Sequence, residues 1–259
     1  MENIRTQFFI PTQPLEIPGL VSCWSFDQSG ETFQAQQGNP YVLQSRSGEL
    51  TVAACADSPF SQTALYLREG DWLNIPRSAC PELDIHGKDG HLTVVAWIKR
   101  AKTSEAQCEF IAGQWNETNK GRQYGLFLNI GVWGYQDCIF GHLSNVGGPT
   151  PGYKYCMDGG QGVTPVALDE WHVVAMSYDG LYGTAWYDGI LDACPALNPY
   201  SLAGGLHDGG PNGSDFTVGA VDRSGEIGNF FTGHIAGLAV YNRALTPAEH
   251  MTLARNCYF

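Results

Sequence analysis

Short runs of apolar and β-branched residues are separated by turn residues along the chain, and the clearest run is DEWHVVAMSYDGLYGTAWYDG at 169–189. Within 171–178 both sets of alternate positions are largely apolar, which predicts a β-strand covered on both of its faces. The pairs Asp179-Gly180 and Asp188-Gly189 suit the positive φ angles of tight hairpin turns. We therefore expect an antiparallel meander inside a layered β-protein.

Apolar runs of this kind recur throughout the sequence, with Gly, Pro, Asn and Asp between them. The chain contains 32 glycines and 14 prolines and only 15% charged residues, which fits many short strands better than helices. No low-complexity linker divides it, so the pattern predicts one all-β sandwich of about ten strands or more. The predicted strands are 20–26, 64–67, 71–75, 91–100, 109–115, 123–130, 136–144, 171–178, 181–187, 215–221 and 230–245.

One helix is predicted near the end of the chain, in the stretch LTPAEHMTLAR at 245–255. Thr246 suits the N-cap and Pro247 the first helical position, and Glu249, three residues after the cap, completes a capping box. The pattern predicts one short helix of about two turns that closes the domain and takes no part in catalysis.

The charge of the chain limits its partners. The formal net charge is −12, from 26 acidic and 14 basic residues, and Lys and Arg form no cluster. Nucleic acids and anionic membrane surfaces are therefore not expected partners. No apolar run reaches the ~18 residues of a membrane span. Residues 1–19 lack the segments of a signal peptide, so we expect either a cytoplasmic protein or a secreted one whose leader has been removed.

The cysteines leave two interpretations open. None of them forms a CxxC pair, so zinc is not expected. Buried, reduced thiols that act as small hydrophobic side chains are the first interpretation. Disulfides are the second, with Cys138 and Cys156 as the preferred pair because they bracket a long loop. The eight cysteines are Cys23, Cys55, Cys80, Cys108, Cys138, Cys156, Cys194 and Cys257.

Two stretches, 145–169 and 198–214, are too long and irregular to be simple turns. Loops of this length in a compact domain are usually functional or mobile. We expect both of them to border a ligand site.

Four blocks of sequence point to a known family. They are GLVSCWSFDQSG, HLTVVAWIK, DEWHVVAMSYDGLYGTAWYDG and GNFFTGHIAGLAVYNRALTPAEH. Together, and in this order, they resemble the concanavalin A-like lectin/glucanase superfamily, above all its laminin G-like domains of the bacterial and pentraxin-related type. The resemblance spans 20–254 and implies a jelly roll of two curved antiparallel sheets. It makes 1–19 an N-terminal extension and 20–259 the domain.

The resemblance also implies a structural Ca²⁺ ion, since laminin G-like and pentraxin-like domains often hold one. Such a hard cation takes six to eight oxygen ligands. Asp27, which follows the first strand, is similar in position to an acidic ligand of these relatives. Many relatives carry a further Asp shortly after the glycine of the last strand, where this chain has Ala236. Asp27 is therefore the one metal ligand that the resemblance suggests.

Members of the superfamily include glycosidases and polysaccharide lyases, so the fold alone does not select an activity. The E-x-D-x-x-E motif of its glucanases is approached only at 82–87, ELDIHG, where Gly87 replaces the second glutamate. A lyase instead needs a cation for the uronate and side chains that transfer protons, so it is the more plausible enzyme here. Its candidate catalytic residues are Arg122, His142, Tyr153, Lys154 and Tyr155.

Sugar binding has fewer requirements, namely an aromatic ring for the apolar face of a pyranose and polar groups for its hydroxyls. A ring contributes about 1 kcal/mol beyond burial. Trp24, Trp97, Trp171 and Trp186 lie inside apolar runs and are expected in the core. Trp115 and Trp133 flank turns, so a core position and a ligand-binding position are both open for them. The candidate ligand-binding residues are Trp115, Trp133, Gln114, Asn116 and Asp137.

The leading prediction is therefore the binding of a glycan or polysaccharide by the concave sheet and the rim loops. A lyase or glycoside hydrolase acting in the same cleft is one alternative, and a protein-binding adhesion module is another.

Overall fold

The computed structural model describes residues 14–104 and 107–255. Its apolar strands pack as a jelly-roll β-sandwich. The predicted all-β fold with one short C-terminal helix is confirmed. The strands are β1 (Leu20–Trp24), β2 (Thr32–Gln34), β3 (Gln37–Gly38), β4 (Val42–Ser45), β5 (Val52–Ala54), β6 (Thr63–Leu67), β7 (Leu73–Ile75), β8 (Leu92–Arg100), β9 (Glu109–Gln114), β10 (Tyr124–Leu128), β11 (Cys138–Leu143), β12 (Gly159–Pro165), β13 (Trp171–Tyr178), β14 (Tyr182–Tyr187), β15 (Ile190–Leu191), β16 (Tyr200–Ser201), β17 (Phe216–Val218), β18 (Val221–Arg223), β19 (Glu226–Gly228) and β20 (Gly233–Tyr241).

The strands form two large antiparallel sheets. The ten-stranded sheet has the order β15-β14-β13-β8-β20-β1-β3, with β16 paired to β14, β6 to β20 and β5 to β6. The eight-stranded sheet has the order β12-β11-β10-β9-β17-β7-β4-β2, and β18 and β19 form a separate hairpin. The helices are α1 (Pro247–Arg255) and 3₁₀ turns at Pro14–Glu16, Arg77–Ala79, Thr118–Lys120, Gly131–Trp133 and Gly210–Asn212.

The main core lies between the two sheets. Val94 and Met176 from the ten-stranded sheet and Ile111, Leu126 and Ile139 from the eight-stranded sheet are fully buried there. A Val, Leu, Ile or Met side chain that is fully buried contributes about 1.5–3 kcal/mol. The inner faces of the two sheets therefore provide most of the driving force for folding.

The predicted meander at 169–189 is confirmed. Strand β13 has its predicted bounds, with Val174 in the core between the sheets and Ala175 in a second cluster on the outer face. The Asp188-Gly189 turn has two positive φ angles, 47° and 77°, as a two-residue hairpin requires. The turn at Asp179-Gly180 is one residue longer and includes Leu181. Asp179 Oδ1 stabilises it by accepting hydrogen bonds from the amides of Leu181 and Tyr182.

The outer face of the ten-stranded sheet is covered by α1. Leu253 of this helix packs in the outer cluster with Trp97 and Trp186. The predicted capping box is confirmed: the amide of Glu249 donates to Thr246 Oγ1 at 3.3 Å, and the amide of Thr246 donates to Glu249 Oε2 at 2.8 Å. The helix therefore covers the sheet, and its own capping box determines the residue at which it begins.

Two predictions about this packing need correction. Trp171, the first residue of β13, is only partly buried, whereas Trp24, Trp97 and Trp186 are buried as expected. The stretch 145–169 is not one loop, because its second half contains β12. That strand was missed because its glycines carry no alternating pattern. A Cβ on Gly159 would lie 2.3 Å from the Gly141 carbonyl, so close pairing with β11 requires glycine there.

Most of the predicted N-terminal extension, 1–13, lies outside the described residues. The remainder packs against the domain: Ile17 is fully buried, and the Tyr241 hydroxyl donates to the Pro14 carbonyl at 3.2 Å. Among the described helices none is both long and apolar enough to cross a membrane.

Candidate functional site

The outer face of the eight-stranded sheet carries a cluster of aromatic side chains across β9, β10 and β11. Because alternate residues share a face, Phe127 and Phe140 point outward and meet His142 on the same side. The His142 ring lies 4.2 Å from the Phe140 ring, 5.3 Å from Phe127 and 4.5 Å from Trp115, measured between centroids. Packing on several rings fixes the orientation of the imidazole.

The connection between β11 and β12, residues 144–158, folds over this cluster; we call it the covering loop. The Ser144 hydroxyl donates to the Gly148 carbonyl at 2.8 Å, and the Arg122 amide donates to the Gly147 carbonyl at 3.1 Å. Near its other end the Thr150 amide donates to Asp158 Oδ2 at 3.0 Å. These bonds hold the loop in one conformation above His142.

Asp158 brings charge into this cluster. Its Oδ1 lies 3.4 Å from His142 Nδ1, and its Oδ2 lies 3.8 Å from Arg122 Nη1. The Arg122 guanidinium also lies over the Trp115 ring, 5.3 Å from its centroid. His142 and Asp158 are almost completely buried, and a buried charge of this kind is stable only when it is paired.

Several polar atoms of the cluster have no hydrogen-bond partner. They are His142 Nδ1, Arg122 Nε and Glu117 Oε2. Buried polar groups in folded proteins are nearly always bonded, so each exception needs an explanation. Their concentration here, around one histidine, is what marks this region as a candidate site.

Two thiols lie side by side under the covering loop. Cys156 Sγ, at the end of the loop, is 3.5 Å from Cys108 Sγ, next to the first residue of β9. The hydrogen bond from Cys108 lowers the pKa of the Cys156 thiol, and His142 lowers it further, against the opposing effect of burial. The same hydrogen bond, together with burial, raises the pKa of Cys108. The pKa values of the two thiols are therefore shifted in opposite directions.

This arrangement corrects the preferred disulfide. Cys138 lies near the Gln136 carbonyl, at 3.6 Å, and not beside Cys156. The covering loop crosses to the start of β9, where Asn129 Nδ2 donates to the Cys156 carbonyl at 3.0 Å. The free cysteines among the described residues are Cys23, Cys55, Cys80, Cys108, Cys138, Cys156 and Cys194, and Cys257 lies outside them.

A cavity of about 50 Å³ lies between the thiols, His142 and the covering loop. A water molecule occupies roughly 30 Å³ of liquid, so the space holds one or two molecules of that size. The structure brings all five predicted catalytic residues to its lining, although their catalytic roles stay predictions. They are Arg122, His142, Tyr153, Lys154 and Tyr155.

The predicted ligand-binding residues are divided between different places. Trp115 is 2% exposed and Gln114 is fully buried, so neither presents an open surface. Gln114 Nε2 donates to the Ser214 carbonyl at 3.3 Å. Asn116 organises the next turn, where its Oδ1 accepts from the Thr118 amide at 2.8 Å. Any binding role for these three residues stays a prediction.

Trp133 borders a second cavity, which we call the aromatic cavity. It has a volume of about 390 Å³ and opens at the rim of the sandwich. The Trp133 side chain is 42% exposed, its Nε1 donates to the Tyr155 carbonyl at 2.8 Å, and Lys154 Nζ lies 4.3 Å from its ring centroid. The lining residues are Trp133, Tyr135, Gly152, Tyr153, Lys154, Met157 and Leu197.

Asp137 borders a third cavity, the polar cavity, of about 630 Å³. Arg100 Nη2 donates to Asp137 Oδ1 at 2.6 Å and to Glu109 Oε1 at 2.5 Å. Burial raises the pKa of Glu109, against the opposing effect of Arg100. Amide groups from Gln107, Asn129 and Gln136 also line this space. The 3₁₀ turn Gly131–Trp133 separates the two cavities, with Val132 in one lining and Trp133 in the other.

The second long stretch, 198–214, does not line these cavities. It packs inward instead, with Tyr200, Leu202 and Leu206 buried in the main core. The prediction that it borders a ligand site therefore does not apply to the cavities described above.

Asp27 is exposed in the turn after β1. In the described part of the chain no group of three or more His, Cys, Asp or Glu side chains is placed to hold a metal ion. One exposed carboxylate does not supply the set of oxygens that calcium needs, so these residues do not fit the implied ion. Calcium binding by Asp27 stays a prediction, and nothing below depends on it.

Sequence reasoning did not assign four of the residues that form these sites. Cys108 and Cys156 are 48 positions apart, so no local motif joins them. Asp158 lies two residues after Cys156. The only sequence signal for either residue was its closeness to Tyr155, a predicted catalytic residue. Tyr135 was not identified as part of the aromatic cavity because a single Tyr in a turn has no pattern.

Comparisons with known proteins bear on the fold. The model of the concanavalin A-like lectin/glucanases superfamily, Laminin_G_3, matches residues 69–249. Domain 4 of AbnA, a GH43 extracellular arabinanase from Geobacillus stearothermophilus solved with arabinotriose, is 18% identical with a TM-score of 0.57. That match covers 91% of this chain and 98% of the other.

Two further solved structures are similar at lower coverage of their own length. Trypanosoma rangeli sialidase in complex with sialic acid is 15% identical with a TM-score of 0.56, over 93% of this chain and 33% of the sialidase. The binding domain of Paraclostridial Mosquitocidal Protein 1 is 11% identical with a TM-score of 0.53, over 93% and 52%. A search of curated protein sequences finds no match. At these identities the likeness shows the fold alone.

Proposed function

The chain belongs to the concanavalin A-like lectin/glucanases superfamily, and from this premise we propose that it binds a glycan at the rim of the sandwich. The binding surface is the aromatic cavity, together with the polar cavity on the other side of the 3₁₀ turn Gly131–Trp133. The observation that carries the proposal is the convergence of Trp133, Tyr135 and Tyr153 around one open space.

The size and lining of the aromatic cavity suit a sugar. Its volume of about 390 Å³ lies within the usual range for small-molecule sites. Aromatic rings offer a flat apolar surface to the C–H face of a pyranose. Lys154, whose ammonium lies over the Trp133 ring in the free protein, supplies hydrogen-bond donors for hydroxyl or carboxylate groups. The combination favours a ligand that is apolar on one face and polar around its edge.

The polar cavity extends this surface for a longer chain. It offers carboxylate oxygens from Asp137, amide groups and the backbone of the 3₁₀ turn, which suit sugar hydroxyls. Because Val132 and Trp133 are consecutive and face different cavities, an oligosaccharide bound across the turn contacts both. The solved arabinanase domain similar to this chain was crystallised with arabinotriose, which supports a short oligosaccharide as the ligand class.

The test is a glycan array followed by calorimetric titration of the strongest binder. The panel contains arabino-oligosaccharides, sialosides, neutral glucans and uronic oligosaccharides. Trp133→Ala is expected to weaken binding about five- to tenfold, since one aromatic platform contributes about 1 kcal/mol or slightly more. The matched control is Tyr182→Ala, because Tyr182 is 47% exposed but lies on β14 of the other sheet. Equal affinity of wild type and Trp133→Ala, or no glycan bound at all, contradicts the proposal.

A polysaccharide lyase is the second candidate function. It is supported by the grouping of Arg122, His142, Tyr153, Lys154 and Tyr155 around one cavity. The volume of about 50 Å³ counts against it, because a uronate enters only if the covering loop moves. Reading the uronic members of the panel for ultraviolet-absorbing unsaturated product distinguishes the two functions.

A further inference from the structure

The thiols beneath the covering loop differ from the other buried cysteines of the chain. Burial raises the pKa of Cys23, Cys80 and Cys138 to about 12, as expected for inert core thiols. Cys156 is also buried, but its pKa is lowered, because it shares a hydrogen bond with Cys108 and His142 lies beside it. A thiol that carries negative charge is the nucleophilic form of cysteine.

The geometry around Cys156 also supplies a second thiol and a proton carrier. Cys108 Sγ is 3.5 Å away, and formation of a bond of about 2.05 Å requires a shift of roughly 1.5 Å. Cys156 lies at the end of the covering loop, whereas Cys108 is held next to β9, so the proposed bond requires the end of the loop to shift toward β9. His142 is oriented by the aromatic rings around it, and its Nδ1 lies 3.4 Å from Asp158 Oδ1 without forming a hydrogen bond.

We propose that Cys156 is a peroxide-reactive thiol and that Cys108 is the thiol that resolves its oxidised form. The substrate class is a small hydroperoxide, and the product is a Cys108–Cys156 disulfide that ties the covering loop to the start of β9.

The chemistry balances without any further reactant. The Cys156 thiolate attacks one peroxide oxygen, the O–O bond breaks, and the departing hydroxide takes up a proton, which gives a sulfenic acid and water. The sulfur of Cys108 then attacks the sulfenic sulfur, the S–S bond forms, and the departing hydroxide takes up the proton that Cys108 releases. In total two thiols lose two electrons and two protons, and hydrogen peroxide is reduced to two molecules of water.

The cavity selects for a small oxidant. Its volume of about 50 Å³ admits hydrogen peroxide, which is close to water in size, and excludes bulky electrophiles such as glutathione disulfide. Besides the two thiols, the titratable groups that line the cavity are Glu117 from the turn after β9, Arg122 before β10, His142 on β11, and Tyr153, Lys154, Tyr155 and Asp158 on the covering loop. Arg122 and the imidazole are suitable hydrogen-bond donors for a peroxide oxygen.

The experiment is limited oxidation of the reduced full-length protein with hydrogen peroxide, followed by peptide mass spectrometry. The expected product is a disulfide between Cys108 and Cys156. Cys55 is the internal control, because it is the most exposed cysteine of the described residues yet has a raised pKa, chiefly from burial. Cys156 is expected to react at least about tenfold faster than Cys55.

Two variants separate the roles of the thiols. In Cys108→Ser the sulfenic acid at Cys156 persists and is trapped by dimedone once excess peroxide has been removed and the protein unfolded in urea, whereas in Cys156→Ser treated in the same way no label appears at Cys108. Circular dichroism establishes that both variants are folded. If the folded site causes the faster reaction of Cys156, oxidation of the unfolded protein in urea gives equal reaction rates for Cys156 and Cys55. Faster oxidation of Cys55 in the folded protein, or a folded Cys108→Ser variant without label at Cys156, overturns the proposal.

Discussion

The two outer faces of the sandwich each carry a buried histidine packed on a tryptophan, but the surroundings of the two histidines differ. On the ten-stranded sheet the His250 ring stacks on Trp186 with centroids 4.1 Å apart and planes at 13°. On the eight-stranded sheet the His142 ring lies on Trp115 with centroids 4.5 Å apart and planes at 37°. Similar packing thus occurs in a structural and in a candidate functional setting.

The surroundings of His250 are satisfied and apolar. Its Nε2 lies 3.0 Å from Ser177 Oγ, and burial lowers the pKa of the imidazole to about 3. The ring therefore stays neutral and acts as part of the core under α1. His142, in contrast, faces a carboxylate, two thiols and a cavity, and one of its nitrogens has no hydrogen-bond partner. Hydrogen-bond partners and adjacent free space, and not burial or ring packing, therefore distinguish the candidate-site histidine from the core histidine.

Trp186→Ala is the substitution with the largest expected effect. It removes a buried ring that supports His250 and the outer cluster under α1, and large-to-small changes of this kind cost about 3–5 kcal/mol of unfolding free energy. Urea denaturation measures the loss. Tyr182→Ala, at an exposed position on the same strand, is the control and is expected to change stability by about 0.5 kcal/mol or less. A loss below about 1 kcal/mol for Trp186→Ala would show that α1 does not depend on this cluster.

Acidification tests the neutral state of His250. The pKa of His250 in the folded protein, about 3, lies below its ordinary value of 6.5, so the unfolded chain takes up a proton that the folded chain refuses. The contribution of His250 to the free energy of unfolding is fully present above pH 6.5 and is lost as the pH falls toward 3. Between about pH 7 and about pH 5 the expected loss is about 2 kcal/mol.

Urea denaturation of wild type and His250→Gln at the two pH values measures this effect. The variant lacks the titrating group, so its stability should change less over the same interval. Parallel behaviour of the two proteins would mean that His250 is not held neutral by burial.

Much of the fold was predictable because it follows from period-two alternation and local turn chemistry. Strand β13, the Asp188-Gly189 turn and the Thr246 capping box depend on residues that are neighbours in sequence. Strand β12 was not predictable in the same way. Its sequence GGQGVTP has no apolar alternation, and it is a strand only because glycines allow it to lie close to β11.

The candidate site was predictable only in part. His142 and the Tyr153–Tyr155 segment were identified from residue type, and the fold places them around one cavity. The pairing of Cys156 with Cys108 was not predictable, because it depends on the path of the covering loop across three strands. The burial of Gln114 was missed, and the choice between core and surface was left open for Trp115, because the covering layer comes from distant parts of the chain.

The smallest expected effect concerns the cation that each face places over a tryptophan. Lys154 Nζ lies 4.3 Å from the Trp133 centroid, whereas Lys99 Nζ lies 5.9 Å from Trp171 on the other face. A double-mutant cycle of unfolding free energies with Lys154→Met and Trp133→Leu should give a coupling energy of about 0.5–1 kcal/mol, because the pair is exposed and close. The matched cycle with Lys99→Met and Trp171→Leu should give less, because the attraction weakens with distance. Equal couplings in the two cycles would mean that the distance between the ammonium and the ring does not determine the strength of these contacts.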